Sequence, residues 1–206
     1  MVRDALTPVR EYRSRNERLI IGLMTGTSAD AVDAVLMRLK GDGMAAKHEV
    51  LAELETPLDD GLRTEVLAVA GAEMIEPERL MRLDAELAGV YAVAVEAVCE
   101  QAGVKLSDVT AIGSHGQTVR HVPRSTVGGR ALTLQLGSAA TLAERTGITV
   151  VSDFRRRDTA AGAGRRTRSP FQLASDETGR DLIRGFLGQN LIEGFDRFLQ
   201  RNVTSG

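Results

Sequence analysis

Residues 19–33 read LIIGLMTGTSADAVD, and this stretch decides the fold class of the chain. Its first part, residues 19–24, is a short apolar run that ends at a turn of glycine, threonine and serine, which predicts a buried strand. A second strand is predicted at residues 32–39, and a third follows a Gly-containing turn at residues 48–54. The chain is therefore expected to open with a meander of three antiparallel strands.

Helices and strands alternate after this meander. An amphipathic pattern predicts a helix at residues 58–70. A longer helix is expected to begin at Pro77, to bury one stripe of apolar residues that recur three and four positions apart, and to be capped by Gly103. Because strands that alternate with helices pair in parallel, the pattern predicts an α/β domain of the ribonuclease-H-like type, the architecture of each half of the actin, hexokinase and Hsp70 group. The remaining predicted elements are strands at residues 109–114, 132–136 and 148–151, with a short helix at residues 139–145 that Gly147 closes.

The composition excludes several classes of partner. The chain of 206 residues has 26 Lys and Arg against 28 Asp and Glu, so its charge favours neither nucleic acid nor an acidic membrane surface. Its single cysteine, Cys99, excludes an internal disulfide and suits a reducing compartment. Residues 1–18 form a polar N-terminal extension without the apolar run of a signal sequence, so we expect a cytoplasmic protein without a membrane segment.

The first candidate site is residues 26–33, which we call the Gly-Thr-Ser turn. A nucleotide phosphate needs backbone N–H groups at close range, which glycine permits, together with hydroxyls and a carboxylate that holds Mg²⁺. Asp30 is the expected magnesium ligand. The alternative is an ordinary hairpin turn rich in small polar residues. Gly26, Thr27, Ser28 and Asp30 supply these parts, and the segment also contains Ala29, Ala31, Val32 and Asp33.

The second candidate site comes at the end of the predicted strand 109–114, an edge at which open α/β sheets bind ligands. His115 is expected to donate a hydrogen bond to a sugar hydroxyl or carboxylate, and Gln117 and Thr118 are expected to orient one. The alternative for His115 is a buried histidine that is satisfied by the backbone. The candidate substrate-binding residues of this segment are Ser114, His115, Gly116, Gln117 and Thr118.

The third candidate site follows the last predicted strand. Asp153 comes directly after an apolar run, so the sheet edge would hold its carboxylate rigidly, as a general base requires. The alternatives are a helix N-cap role for Asp153 and an ion pair between Asp158 and a neighbouring arginine. Residues 155–157 are all arginine, which indicates a solvated charge run and leaves open that one of them binds a substrate carboxylate.

Four motifs in this order resemble those of the anhydro-N-acetylmuramic acid kinases. The first motif of that family, Met-Ser-Gly-Thr-Ser-x-Asp-Gly-Val-Asp, is matched by residues 24–33 except at Thr25 and Ala31. The resemblance covers residues 19–162. The family's Ser-His-Gly-Gln-Thr, Thr-Leu-Gln-Leu-Gly and Thr-Gly-Ile-x-Val-Val-x-Asp-Phe-Arg motifs match residues 114–118, 133–137 and 146–155.

The resemblance implies the first of the two domains of an actin-like sugar kinase that uses ATP and Mg²⁺. Such enzymes activate a water with an aspartate, open the internal ring of 1,6-anhydro-N-acetylmuramic acid and phosphorylate the freed O6. The product is N-acetylmuramic acid 6-phosphate, in peptidoglycan recycling and amino-sugar catabolism. By resemblance, Asp153 is the base, the Gly-Thr-Ser turn holds the ATP phosphates with Mg²⁺ at Asp30, and residues 114–118 with Arg155 line the sugar site. A cytoplasmic location is implied, and a homodimer like that of the family is left open.

Three departures from the family pattern qualify this expectation. Ala31 replaces a glycine, which would crowd the backbone if that position needed a positive φ. Ser138 stands where the family usually has an acid. After Gly162 the family motifs stop, so we expect residues 163–206 to be a poorly ordered tail, the second kinase domain to be absent and the chain alone to be inactive.

Two other hypotheses remain at this point. One is a ribonuclease-H-like nuclease that holds two metal ions with Asp30, Asp33 and Asp153. The neutral net charge and the lack of a basic, aromatic-rich groove argue against it. The other is a non-catalytic fragment that keeps a sugar-binding surface at most.

Overall fold

A computed structural model of the chain describes residues 7–41, 46–122 and 131–160. The predicted tail, residues 163–206, lies outside the described residues, as do residues 1–6 of the N-terminal extension. Within the described ranges the helices are α1 (Thr7–Ser14), α2 (Asp60–Gly71), α3 (Pro77–Ala102), α4 (Ala139–Thr146) and α5 (Phe154–Ala160). The strands there are β1 (Glu17–Thr25), β2 (Ala31–Lys40), β3 (Lys47–Pro57), β4 (Val109–Val122), β5 (Leu132–Leu136) and β6 (Val150–Val151).

The strands form a mixed sheet in the order β3-β2-β1-β4-β5, with β6 also paired to β4. The β1–β2 and β2–β3 pairs are antiparallel, which confirms the predicted meander. β4 runs parallel to β1 and to β6, as the alternation of strands and helices predicts. β5 is antiparallel to β4, so the parallel pairing predicted for this strand is wrong. The nine residues 123–131 connect the two strands. A parallel crossover needs about a dozen residues or more.

β4 is longer than predicted, because the polar residues 114–118 continue the strand instead of following it. Its first half, from Val109 to Gln117, pairs with β1. Its second half pairs with β5, which supplies new backbone partners where β1 ends. Gly116, with a φ of 73°, lies next to this change of partner. The second candidate segment is therefore part of a strand.

The polar N-terminal extension contains a helix, α1, that the sequence analysis did not predict. Tyr12 of this helix is only 5% exposed, and the guanidinium carbon of Arg18 lies 4.6 Å from the centroid of its ring. Arg18 is buried as well and donates a hydrogen bond to the Gly41 carbonyl. Tyr12 also packs in one apolar cluster with residues of β1 and β2, so this packing and the stacking on Arg18 dock α1 against the sheet.

Helices α2 and α3 pack against one face of the sheet. The predicted apolar stripe of α3 is buried at Leu83, Leu87 and Val98, in one cluster with apolar residues of β1 and β2. Gly103 caps α3 and Gly147 caps α4 in the left-handed conformation, with φ of 64° and 69°, as predicted. Within residues 7–41, 46–122 and 131–160, no helix combines the length and the apolar character that crossing a membrane requires.

Candidate active site

The three candidate segments meet at one edge of the sheet. β1, β4 and β6 run parallel, with Thr25 opposite Gln117 and Gly113 opposite Val151. The Gly-Thr-Ser turn follows β1, the second segment continues β4 beyond Gly113, and Asp153 follows β6. All three therefore lie toward the carboxyl ends of parallel strands, where open α/β sheets bind ligands.

A cleft of about 450 Å³, which we call the sheet-edge cleft, opens between β4, β5, α3 and the residues after β6. It brings Ser114, His115 and Gly116 of the second segment together with Asp153 of the third. The other candidate residues that the structure describes do not line this cleft; they are residues 26–33, Gln117, Thr118 and Arg155. The cleft is lined by Leu80, Met81, Asp84, Ser114, His115, Gly116, Leu134, Gln135, Leu136, Gly137, Ser138, Ala139, Ala140, Ser152, Asp153 and Arg156.

His115 is 4% exposed, and its Nδ1 lies 2.9 Å from the Gly116 carbonyl oxygen. Because a carbonyl oxygen only accepts, Nδ1 carries the proton and Nε2 is the acceptor nitrogen of a neutral ring. Burial lowers the pKa of His115 to about 4, and the positive charge of Arg155 lowers it as well. His115 is thus bonded to the backbone and also lines the cleft. The hydrogen bond between His115 and a sugar, expected from the sequence, stays a prediction.

Ser114 and Gln117 bury polar atoms next to His115. Both residues are 1% exposed, and Ser114 Oγ and Gln117 Oε1 have no hydrogen-bond partner among the described residues. Gln117 Nε2 donates to the Thr118 carbonyl at 3.1 Å, and Thr118 Oγ1 accepts from Gln135 Nε2 at 3.1 Å. Ser114 and Gln135 line the cleft, whereas Gln117 and Thr118 do not. A ligand in the cleft would offset the cost of the buried Ser114 hydroxyl.

Asp153 has a left-handed backbone conformation, with a φ of 62°, which is uncommon for a residue other than glycine. Its carbonyl accepts the Arg157 N–H at 3.0 Å, so Asp153 lies directly before the first turn of α5. Its side chain is 59% exposed, and Oδ1 lies 3.5 Å from Arg156 Nη1. A carboxylate that projects from a constrained backbone and remains open to solvent is suited to take a proton from a water.

The Gly-Thr-Ser turn is closed by hydrogen bonds within the segment. The Ala29 N–H donates to the Gly26 carbonyl at 3.1 Å, and the Ser28 hydroxyl and the Ala31 N–H donate to Asp30 Oδ1 at 2.8 and 3.1 Å. The bond from Ser28 is the main reason why the pKa of Asp30 lies below its ordinary value. Asp30 is therefore an exposed, ionised carboxylate at neutral pH, as a magnesium ligand must be.

Ala31 opens β2 and does not adopt a positive φ. Among the described residues other than glycine, a positive φ occurs at Ala29, with 50°, and at Asp153. In this turn it is therefore Ala29, a fully buried residue, that adopts the left-handed conformation disfavoured for residues with a Cβ. The loss of glycine at Ala31 leaves the backbone of the turn unstrained at that position.

Asp33 lies on β2 directly opposite Glu55 of β3. Burial raises the pKa of Asp33 to about 6, and the negative charges of Glu55 and Asp30 contribute. In the described part of the chain, no three His, Cys, Asp or Glu side chains gather into a group that could hold a metal ion. Asp30, Asp33 and Asp153 therefore do not form the two-metal cluster on which the nuclease hypothesis depends.

Asp84 is a residue of the cleft that the sequence analysis missed. Its Oδ1 accepts the Gly137 N–H at 2.7 Å, and its main-chain oxygen accepts the Ser138 N–H at 3.1 Å. Ser138, at the position where the family usually has an acid, caps α4 by accepting the Thr141 N–H at 3.2 Å. The spacing of apolar residues predicts which face of α3 is buried. It does not indicate that Asp84, which lies beside this face, binds Gly137 and Ser138 in a loop distant in sequence.

Comparison with known proteins agrees with the motifs. The sequence model of the family described as anhydro-N-acetylmuramic acid kinase matches residues 18–193, which extends beyond residue 162, where the motifs end. A curated relative of that name from Bordetella pertussis is 48% identical over 76% of this chain and 39% of the relative. Relatives of the same name from Xanthomonas campestris pv. campestris and Caldanaerobacter subterraneus subsp. tengcongensis are 42% and 38% identical, over 82% and 72% of this chain and 46% and 38% of the relatives. The chain thus spans less than half the length of these relatives. Because the family model covers most of its residues, the chain belongs to the anhydro-N-acetylmuramic acid kinase family.

Proposed function

We propose that this chain supplies one side of the active site of an ATP-dependent kinase that converts 1,6-anhydro-N-acetylmuramic acid to N-acetylmuramic acid 6-phosphate. The observation that carries the proposal is the sheet-edge cleft, where Ser114 and His115 from one strand meet Asp153 from the end of another. The shared name of the relatives supports the identity of the sugar. Such a reaction would serve peptidoglycan recycling and amino-sugar catabolism in the cytoplasm.

We also infer that the domain has the ribonuclease-H-like architecture of the actin-like sugar kinases. Support comes from the order of the sheet, in which the first strand of an antiparallel meander is followed by the parallel strands β4 and β6. In kinases of this architecture, the turn between the first two strands holds phosphate. The Gly-Thr-Ser turn occupies that position here.

In the proposed reaction, Asp153 accepts a proton from a water while the oxygen of this water bonds to the anomeric carbon of the sugar. The bond between that carbon and the bridging oxygen breaks. The freed O6 then forms a bond to the γ-phosphorus of ATP, and ADP leaves. The buried hydroxyl of Ser114 and the neutral ring of His115 would orient the sugar within reach of Asp153.

The Gly-Thr-Ser turn fits Mg·ATP in its chemistry. Asp30 offers an exposed, ionised oxygen, which is the ligand type that Mg²⁺ prefers, and Thr27 and Ser28 are exposed hydroxyls beside it. When bound, Mg·ATP supplies the phosphoryl group. Asp30→Ala should weaken binding of Mg·ATP more than binding of the sugar. An equal loss of both, with a lower melting temperature, would mean that Asp30 mainly holds the turn through Ser28 and Ala31.

A chimera tests the proposed activity. Residues 18–160 of this chain would replace the aligned segment of the Bordetella pertussis relative, to which the chain is 48% identical. With Mg·ATP and 1,6-anhydro-N-acetylmuramic acid, we expect the 6-phosphate to form, as detected by mass spectrometry. The unmodified relative is the positive control, and the 206-residue chain is assayed beside it to test the predicted lack of activity. A folded chimera that binds the nucleotide but forms no product would contradict the proposal.

A further inference from the structure

Asp84, on α3, holds one wall of the sheet-edge cleft. It binds two successive N–H groups, that of Gly137 with Oδ1 at 2.7 Å and that of Ser138 with its main-chain oxygen at 3.1 Å. Both residues line the cleft, and Ser138 begins the cap of α4. A single residue of α3 therefore sets the place where the chain leaves β5 and enters α4.

The same loop is held from a second side by Tyr91. Gly137 has a φ of 115°, and a Cβ at this position would overlap the Tyr91 ring. Asp84 and Tyr91 lie seven residues apart on α3, which places them on the same face of the helix, two turns apart. Gly137 is thus confined between a hydrogen bond and an aromatic ring, and the loop has little freedom to move away from the cleft.

His115 and Gly116 of β4 also line the cleft, and Gly116 contacts the neighbouring strand β5 closely. The Leu136 carbonyl oxygen lies 2.6 Å from the place where a Cβ of Gly116 would be. β5 is in contact with β4 at Leu136, and the chain leaves β5 at the next residue, Gly137, which also lines the cleft. The position of Gly137 therefore affects how wide the cleft is beside His115.

We propose that Asp84 is a positioning residue that sets the width of the sheet-edge cleft by fixing Gly137 and Ser138. The inference rests on the proposed function for the identity of the ligand, 1,6-anhydro-N-acetylmuramic acid. The position of the wall can be tested without that ligand. In Asp84→Asn the amide oxygen can still accept the Gly137 N–H, whereas Asp84→Glu keeps the charge but adds a methylene group that displaces the loop.

The first experiment measures binding of 1,6-anhydro-N-acetylmuramic acid to the full chain by calorimetry. We expect Asp84→Asn to bind within about threefold of the unmodified chain. Asp84→Ala and Asp84→Glu should bind at least about tenfold more weakly, because the hydrogen bond that positions Gly137 is lost or displaced. Glu86→Ala is the matched control, since Glu86 is an exposed acid on the same helix. Asp84→Glu binding as well as the unmodified chain, with Asp84→Asn impaired, would show that the charge matters and would overturn the positioning role.

The second experiment measures hydrogen exchange of the Gly137 and Ser138 amides without ligand. Asp84→Ala should speed exchange at Gly137 by at least about tenfold, and Glu86→Ala should not. If the folded Asp84→Ala variant shows unchanged exchange at Gly137, the inference is overturned, whatever the result of the sugar-binding experiment. If Asp84→Ala speeds exchange at Gly137 but the unmodified chain does not bind the sugar, the proposed function is contradicted, while the positioning of Gly137 by Asp84 is still supported.

If Asp84→Ala does not fold, the same two measurements on Asp84→Asn and Asp84→Glu decide. Weaker sugar binding and faster exchange in Asp84→Glu than in Asp84→Asn support the inference. Equal binding and equal exchange in the two variants overturn it.

Discussion

The Tyr91 hydroxyl and Thr25 Oγ1 lie 2.9 Å apart in a buried hydrogen bond that joins α3 to the last residue of β1. The Gly-Thr-Ser turn begins at the next residue. The helix α3, which fixes Gly137 in the sheet-edge cleft, therefore also anchors the candidate phosphate site. Tyr91 is fully buried, and burial raises the pKa of its hydroxyl well above the ordinary value. The two candidate sites thus share one helix as their support.

Tyr91→Phe should lower the free energy of unfolding by about 1–3 kcal/mol, because Thr25 Oγ1 would remain buried without a partner. Adding Thr25→Val to this variant should recover part of the loss, since neither polar group is then left. Urea denaturation of the single and double variants measures both effects. If Tyr91→Phe is as stable as the unmodified chain, the bond contributes nothing to stability.

Gly116→Ala should lower the free energy of unfolding by about 2–4 kcal/mol, because it adds strain at a positive φ and forces β5 to shift. The φ of 73° disfavours any side chain, and the new Cβ would lie 2.6 Å from the Leu136 carbonyl oxygen. Gly71→Ala is the control, because no atom lies within 4 Å of a Cβ there. Thermal denaturation compares the two variants, and an equal effect would show that Gly116 is not conformationally required.

Asp33→Asn should stabilise the chain at pH 8 and have little effect at pH 3. The pKa of Asp33 is raised from 3.8 to about 6, so the folded state favours the protonated carboxyl. The stability that this group contributes is present below pH 3.8 and is lost as the pH rises through about 6. Because Asp33 is partly exposed, solvent screening limits the gain at pH 8 to about 1 kcal/mol. Urea denaturation at both pH values measures the difference, and Glu96→Gln at an exposed position of α3 is the control. A gain at pH 3 equal to that at pH 8 would exclude titration of Asp33 as the cause.

Asp153→Asn, introduced into the chimera with the Bordetella pertussis relative, should bind 1,6-anhydro-N-acetylmuramic acid with nearly unchanged affinity. Turnover should fall at least about 100-fold, because the amide cannot take the proton of the attacking water. Calorimetry gives the affinity, and product formation gives the rate. Near-normal turnover would make Asp153 a structural residue at the start of α5. Glu144→Gln serves as the control, because Glu144 is an exposed acid of α4 outside the cleft lining.

Ala31→Gly should bring no gain in Mg·ATP affinity, because Ala31 already has the φ of an ordinary strand residue. It should instead lower the free energy of unfolding by about 0.5–1 kcal/mol, since glycine is more flexible in the unfolded chain. Calorimetry with Mg·ATP and thermal denaturation check the two parts. Tighter nucleotide binding in the glycine variant would show that the Cβ of Ala31 crowds the site.

Local sequence patterns determined the elements whose stability depends on near neighbours. Apolar runs and turn residues indicate the meander, and α3 begins at Pro77 and ends before Gly103 as predicted. Proline loses no hydrogen bond at the first helical position, and glycine adopts the left-handed cap at no steric cost. The four motifs were likewise sufficient to identify the family that the comparisons show.

Tertiary structure alone decided the features that depend on segments distant in sequence. The polar residues 114–118 continue β4 because β5 offers backbone partners, and this contact has no counterpart in local periodicity. The position of Gly137 depends on Asp84, an acid on α3. The sequence pattern of this helix predicts only its buried apolar stripe. The neutral state of His115 likewise follows from burial by residues of other elements. In each case a long-range hydrogen bond or the exclusion of water determines the outcome, and neither is encoded in the spacing of residues along the chain.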